Sequence, residues 1–211
     1  RDGKLLLSLR GHTKETDAAV FSRDGSLLAT ASADGTARIW DARTGAIVRQ
    51  PLAHPGEVYS VAFSPVDDRV VTSCQDRWAR VFDARDQAAK VVQLGPHDGE
   101  IEEAVFSPDG AHVATASDDH AVRIWDAKTG KLLRRLEGHT DVVFSLAYSP
   151  DGSRLASGSM DQTVRVFDAA SGHPKLVLPG HDDEVTYVGF TSDGGRIVSS
   201  GLEPMARIWD A

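Results

Sequence analysis

Residues 97–126 read HDGEIEEAVFSPDGAHVATASDDHAVRIWD, and this stretch decides the fold. Two strand-like runs flank Pro108-Asp109-Gly110, where Pro fixes an early turn torsion angle, Asp bonds its own backbone and Gly tolerates positive φ. A third run ends at Trp125-Asp126, and a fourth follows the turn at Thr129-Gly130. This stretch and its continuation therefore predict four short antiparallel strands.

The same pattern recurs through the whole chain. Five aromatic-Asp pairs, spaced 42, 43, 42 and 42 residues apart, mark its end: Trp40-Asp41, Phe82-Asp83, Trp125-Asp126, Phe167-Asp168 and Trp209-Asp210. Each pair is preceded 28 residues earlier by a histidine: His12, His54, His97, His139 or His181. One Trp-Asp pair would be weak evidence, but five matches at one spacing indicate an internal repeat.

On these residues the chain resembles the WD40 family. The resemblance implies an all-β fold, a β-propeller of five four-stranded blades. The repeats are predicted roughly at residues 10–41, 52–83, 95–126, 137–168 and 179–210. Together with the short segment before them they leave no stretch for a second domain, so a single propeller domain is predicted over residues 1–211.

The two termini match each other. Joining Ala211 to Arg1 would continue the last Trp-Asp pair much as the sequence continues after Trp125-Asp126. Residues 1–9 are therefore predicted to supply the outer strand of the last blade, which pairs its open edge and closes the ring. We favour a monomeric closed ring. Rings of the family more often have seven blades, so membership in a larger ring and assembly with copies of itself stay open.

Composition narrows the classes of partner. A formal net charge of -8 and a pI near 5.4 argue against direct nucleic-acid binding, which needs stripes of Lys and Arg. No apolar run is long enough for membrane insertion, and the only cysteine, Cys74, can form no internal disulfide. A cytoplasmic location is expected. The absence of Asn and the excess of Arg over Lys suggest bacterial coding.

Each repeat also contains a histidine, a hydroxyl residue, an acid and an aromatic residue at fixed spacing. In repeat order these residues are His12, Thr30, Asp34 and Trp40; His54, Thr72, Asp76 and Phe82; His97, Thr115, Asp119 and Trp125; His139, Ser157, Asp161 and Phe167; His181, Ser199, Glu203 and Trp209. The set invites comparison with a hydrolase triad, which needs one exposed nucleophile and an oxyanion site. The resemblance implies instead a structural hydrogen-bond network, since buried polar groups need partners. We predict no catalytic residue, metal or cofactor, and no enzyme activity.

Phe82 and Phe167 lack the indole N–H that the three tryptophans provide. The networks of the second and fourth repeats are therefore predicted to be shorter.

Acids and bulky side chains cluster in the loops that enter the innermost strands. The candidate binding residues are Glu15, Asp17, Glu57, Tyr59, Trp78, Glu100, Glu102, Asp141, Phe144, Asp183, Glu184 and Tyr187. In a propeller these loops share one face, so separate acids can sum to a negative field. Ordinary solvated loops are an equally good interpretation of the acids alone.

The leading functional hypothesis is a noncatalytic interaction scaffold that presents an acidic loop face to a protein or peptide partner that contains Lys or Arg. The alternative is a sensor or regulatory domain excised from a larger signalling protein. A propeller enzyme is the less favoured third class, because it would need a nonrepeated polar cluster in the central channel.

Overall fold

The structure is a computed structural model that describes residues 3–211. Within these residues all regular structure is β-strand, arranged in five antiparallel sheets whose strands follow chain order. The predicted all-β fold class is therefore confirmed. No helix in this range is long and apolar enough to cross a membrane.

The five sheets, or blades, contain the following strands. The first has β1 (Thr16–Phe21), β2 (Leu27–Ser32), β3 (Thr36–Asp41) and β4 (Leu52–Ala53). The second has β5 (Val58–Phe63), β6 (Arg69–Cys74), β7 (Ala79–Asp83) and β8 (Val92–Leu94). The third has β9 (Ile101–Phe106), β10 (His112–Ser117), β11 (Val122–Asp126) and β12 (Leu132–Leu136). The fourth has β13 (Val143–Tyr148), β14 (Arg154–Ser159), β15 (Val164–Asp168) and β16 (Pro174–Leu178). The fifth has β17 (Val185–Phe190), β18 (Arg196–Gly201) and β19 (Ala206–Asp210).

In four of the five blades an Asp-Gly turn reverses the chain between the first two strands. In the third blade the Gly110 N–H donates to Ser107 O at 2.8 Å, and the Ser107 hydroxyl donates to Asp109 at 2.5 Å. Gly110 has a φ of 67°, a conformation that glycine adopts without cost. The turn sequence therefore acts by the mechanism that predicted it.

The hydrophobic core lies between blades. We call the face of a blade that is directed towards the next blade along the chain its forward face, and the opposite face its rear face. Between the first two blades, the forward-face residues Ala29 and Ile39 meet the rear-face residues Val58 and Phe82. Three further buried clusters join the second blade to the third, the third to the fourth and the fourth to the fifth.

The predicted closing strand is not confirmed. Among the described residues, β19 pairs only with β18, and residues 3–15 form no strand. Residues 1 and 2 of the predicted strand lie outside the described range. Leu7 and Leu9 lie beside the first blade instead, where a Cβ on Gly45 would be 3.1 Å from Leu9 Cδ2. The segment therefore lies beside the first blade and is not paired with β19 in the described range.

The ends of the array are consequently open in the described part of the chain. None of the buried clusters joins the fifth blade to the first. Phe21 on the first blade is 62% exposed, and Ile208 on the fifth is 70% exposed. Five blades are therefore present as predicted, but the fifth has three strands in the described range instead of four, and the ring closure that would bury the two end faces is not observed.

The interblade core predicts a position-dependent cost of truncation. Ile39→Ala removes a fully buried side chain and should destabilise the protein by about 2–5 kcal/mol through lost burial and a residual cavity. Ile47→Ala is the matched control, because Ile47 is 47% exposed in the same blade and should cost less than about 1 kcal/mol. Urea unfolding of both variants tests the difference, and equal losses would contradict this assignment of the core.

Candidate functional site

The third blade contains a continuous series of hydrogen-bonded, buried polar side chains. His97 Nε2 lies 2.7 Å from Thr115 Oγ1, which also accepts the Trp125 indole N–H at 2.9 Å. His97 Nδ1 lies 3.2 Å from Asp119 Oδ2, and the same oxygen accepts the Asp98 backbone N–H at 2.9 Å. Thr115 lies within β10 and Trp125 near the end of β11, while His97 and Asp119 lie in adjoining loops.

Three other blades carry the same arrangement. In the first blade, His12 lies 2.7 Å from Thr30 and 3.0 Å from Asp34, and Trp40 donates to Thr30 at 2.9 Å. In the fourth blade, His139 lies 2.8 Å from both Ser157 and Asp161. In the fifth blade, His181 contacts Ser199 at 2.7 Å and also Glu203, and Trp209 donates to Ser199 at 2.8 Å. In the fourth blade Phe167 replaces tryptophan, so no indole N–H is donated to the Ser157 hydroxyl.

The second blade differs from the predicted pattern. His54 Nε2 lies 2.8 Å from Thr72, but its Nδ1 lies 2.9 Å from the Leu52 carbonyl and not beside Asp76. Asp76 instead forms an ion pair with Arg80 at 2.5 Å. Burial, with the Arg80 charge adding to it, lowers the pKa of His54 to about 4, so this histidine is neutral at physiological pH. The predicted His54–Asp76 contact is therefore replaced by an Arg–Asp pair.

Arginines reinforce the networks of other blades in the same way. Arg123 donates to Asp119 at 2.5 Å and contacts His97, and Arg207 donates to Glu203. Burial alone would raise the pKa of Asp119, but the hydrogen bonds from His97 and Arg123 outweigh it and hold that pKa well below its usual range. The acid is therefore ionised at neutral pH and ties the loops to the strands.

A second cluster of polar groups lies in the loops and strand starts of the second and third blades. The Tyr59 hydroxyl donates to Glu100 at 2.6 Å, and carboxylate oxygens of Glu100, Glu102 and Asp118 lie within 4.8 Å of one another. Burial and then the charges of Asp118 and Glu100 raise the pKa of Glu102 to about 7. Burial and the hydrogen bond to Glu100 raise the pKa of Tyr59. The three carboxylates are close enough to repel one another when they are ionised.

The first blade extends this negative region. Burial and then the charges of Glu15 and Glu57 raise the pKa of Asp17. Glu57 also lies 3.7 Å from the Lys14 ammonium group, a partly exposed pair of small energetic weight. We call the whole set the acidic patch: Glu15, Asp17, Glu57, Tyr59, Glu100, Glu102 and Asp118.

The remaining predicted binding residues have the following surroundings. Asp141 and Asp183 each accept a hydrogen bond at 2.9 Å from the backbone N–H of the residue that follows. Trp78 lies against the second blade's outer loop, where a Cβ on Gly95 would be 2.9 Å from its ring. Phe144 and Glu184 are half-buried, and Tyr187 is exposed.

Asp118 was missed by the sequence analysis. It follows directly after β10, at a repeat position where the other four blades carry Ala33, Gln75, Met160 and Leu202. Aligning the repeats would have marked it as the one acid at that position. With Glu100 and Glu102 it forms the type of oxygen donor set that hard divalent cations bind.

The family model described as WD domain, G-beta repeat matches residues 3–41, 45–83, 89–126, 130–168 and 172–210. The chain therefore belongs to the WD40 family, as its motifs predicted. It is 35% identical to chicken (Gallus gallus) WD repeat-containing protein 1 over 83 residues, which cover 38% of this chain and 14% of that protein. It is 36% identical to rat (Rattus norvegicus) Jouberin over 95 residues, 43% of this chain and 9% of Jouberin.

A third relative is WD repeat and SOCS box-containing protein 1 of Takifugu rubripes, 45% identical over 73 residues, 34% of this chain and 17% of that protein. The aligned stretches thus span less than a fifth of these relatives. The repeats and the WD-repeat relatives indicate a protein–protein interaction scaffold.

The buried networks predict a pH-dependent contribution to stability. Asp119→Asn removes charge-assisted hydrogen bonds to His97 and Arg123 and should cost about 2 kcal/mol at neutral pH. The folded-state pKa of Asp119 is depressed, so its contribution is present above the unfolded-state pKa and is lost as pH falls towards the folded-state value. Thermal denaturation at pH 7 and pH 3 should show the difference from wild type shrinking at pH 3. The exposed Glu137→Gln serves as control, and a pH-independent difference would contradict the charged role of Asp119.

The acidic patch predicts the opposite dependence. The folded-state pKa of Glu102 is raised from 4.5 to about 7, so the stabilisation present at low pH is lost as pH rises through about 7. Glu102→Gln removes the repulsion and should melt at a higher temperature than wild type at pH 8, with a smaller difference at pH 5. The control is again Glu137→Gln. A Glu102→Gln variant less stable than wild type at pH 8 would show that the ionised carboxylate is structurally required.

Proposed function

We propose that the protein is a noncatalytic scaffold that presents the acidic patch to a Lys- or Arg-containing segment of a protein partner. The observation that carries this proposal is the convergence of acids from separate repeats, with the pKa values of Asp17, Glu102 and Asp118 raised. Burial and like charge both disfavour ionisation there. An arriving ammonium or guanidinium group would stabilise the anions, so the patch has a chemical preference for cations.

The placement of the patch supports a binding role. Glu57 and Glu100 precede β5 and β9, so their loops enter corresponding strands of adjacent blades. Directly behind Asp118 lies Asp119, whose hydrogen bonds to His97 and Arg123 fix the loop. A surface fixed in this way loses little conformational entropy when a partner binds.

The burial of the hydroxyl groups supports a noncatalytic function. Thr115 and Ser157 are fully buried, and each hydroxyl contacts the Nε2 atom of its histidine. A nucleophile in acyl transfer must reach a substrate carbonyl beside an oxyanion site. A hydroxyl enclosed between strands and bonded to its histidine is instead suited to holding the blade together.

The second candidate, a sensor or regulatory domain of a larger signalling protein, would use the same surface. It is favoured by the greater length of the curated relatives, of which the aligned stretch is 9–17%. The two candidates differ in what else the polypeptide carries. A full reading frame that encodes a catalytic domain would favour the regulatory role, and one without such a domain would favour a freestanding adaptor.

Charge reversal tests the acidic patch. A labelled Lys-rich peptide is titrated against wild type and against Glu57→Lys, Glu100→Lys and Asp183→Lys, with fluorescence anisotropy as the readout. The two patch variants should each weaken binding about 5- to 10-fold, because they replace attraction by repulsion; Asp183 tests whether the fifth blade contributes. Asp68→Lys is the matched control, since Asp68 lies in the β5–β6 turn at the opposite end of the sheet from Glu57. Equal weakening by Asp68→Lys would mean that only net charge matters, and unchanged affinity of the patch variants would overturn the proposed site.

A further inference from the structure

The forward face of the fifth blade exposes side chains that the other blades bury. Ile208 is 70% exposed, whereas the residues at its repeat position are buried against the next blade: Ile39, Val81, Ile124 and Val166. Ala206 is also exposed, whereas Ala37, Ala79, Val122 and Val164 at its position are buried. This face has the composition of an interblade surface and lacks a blade to cover it.

The rear face of the first blade is exposed in the complementary way. Phe21 is 62% exposed, while Phe106 at the same repeat position is 8% exposed against the second blade. Ala19 is exposed, while Ala104 at its position is buried. One chain therefore carries both halves of the junction that it forms four times internally.

An arginine contact specifies how the two halves would meet. Arg69 of the second blade donates to the Gly110 carbonyl of the third at 2.7 Å, and its guanidinium lies 5.3 Å from the centre of the Phe106 ring. Arg154 makes the same two contacts from the fourth blade to the fifth, at 2.7 Å to Gly194 O and 5.2 Å to the Phe190 ring. The contact thus recurs at two junctions, with the same geometry.

The two open ends carry the separate halves of this contact. Arg196 begins β18 at the repeat position of Arg69 and Arg154, and it is exposed. Gly25 and Phe21 occupy the positions of the carbonyl and the ring on the first blade, and both are exposed. The donor on the fifth blade and the acceptor on the first blade are therefore matched in register.

The N-terminal segment supplies a third match. A Cβ on Gly172 of the fourth blade would meet Leu136 and Arg134, which belong to the outer strand of the preceding blade. A Cβ on Gly45, at the same position of the first blade, would meet Leu9 and Leu7. Residues 5–9 thus lie where the outer strand of a preceding blade belongs, and β19 lacks an outer strand.

We propose that the fifth blade of a second copy of this chain docks on the rear face of the first blade. Residues 5–9 of one copy then pair with β19 of the other, and Arg196 of that second copy donates to the Gly25 carbonyl over the Phe21 ring. The junction reproduces the contacts that the chain makes between its own blades. It is head-to-tail, so each copy keeps one free end for a further copy unless the assembly closes.

Complementing end variants test the proposal by light scattering after size exclusion. Phe21→Asp disables the first blade's surface and Ile208→Asp the fifth blade's, and both residues are exposed, so each variant should fold as a monomer of 22.6 kDa. Wild type should form oligomers. An equimolar mixture of the two variants should give a dimer of about twice 22.6 kDa, because each variant retains the end that the other lacks. Val177→Asp, an exposed position on the outer strand of the fourth blade, is the control and should assemble like wild type.

Two results would overturn the proposal. A wild type that stays monomeric at the highest soluble concentration would show that the ends close within one chain or require blades from elsewhere. An oligomeric wild type whose variants remain oligomeric, or whose mixture gives no dimer, would show association through another surface.

The arginine contact gives a second measurement with milder substitutions. Arg196→Ala and Phe21→Ala should each raise the dissociation constant roughly tenfold, through loss of a hydrogen bond or of the cation–π contact. In the double variant the effects should be less than multiplicative, because the two side chains interact across the copies. Strictly multiplicative effects would contradict the docking register.

Discussion

The whole structure depends on the packing of one small sheet against the next. A blade of four short strands has two faces and too little side-chain volume to bury either by itself. Small residues such as Ala29, Ala31 and Ala37 on one face leave room for large ones such as Phe82 of the neighbouring blade. The core is densely packed because these small and large side chains are complementary in shape. Each blade is therefore stable only as part of an array.

The polar networks follow from that burial. Packing blades face to face encloses groups such as His97 and Thr115, whose hydrogen-bonding capacity must then be met inside the protein. In four blades the histidine bonds to a hydroxyl group and to an acid in the same way. The second blade shows that each buried polar group needs a hydrogen-bond partner but not one particular partner. There His54 bonds to a backbone carbonyl, and Asp76 pairs with Arg80.

Local features were predictable from the sequence. The strands, the Asp-Gly turns and the repeat spacing follow from residue chemistry within about 40 residues, as at Pro108-Asp109-Gly110. Whether the array of blades closes into a ring was not predictable, because closure depends on which distant surfaces meet. The matching sequences of the two termini are compatible with more than one arrangement. The clustering of Asp118 with Glu100 and Glu102 was missed for the same reason: proximity between loops is a property of the assembled blades.

The arginine contacts at the junctions have a consequence for how such arrays grow. Arg69, Arg154 and Arg196 occupy one repeat position. Arg69 and Arg154 each contact a backbone carbonyl and an aromatic ring of the next blade, and Arg196 would do the same with a blade that follows it. The fifth repeat carries both halves of the contact, with Phe190, Gly194 and Arg196, so a tandem duplication of it would bring the contact to the new junction between the two copies. An array can therefore lengthen by such a repeat without a new kind of interface between blades.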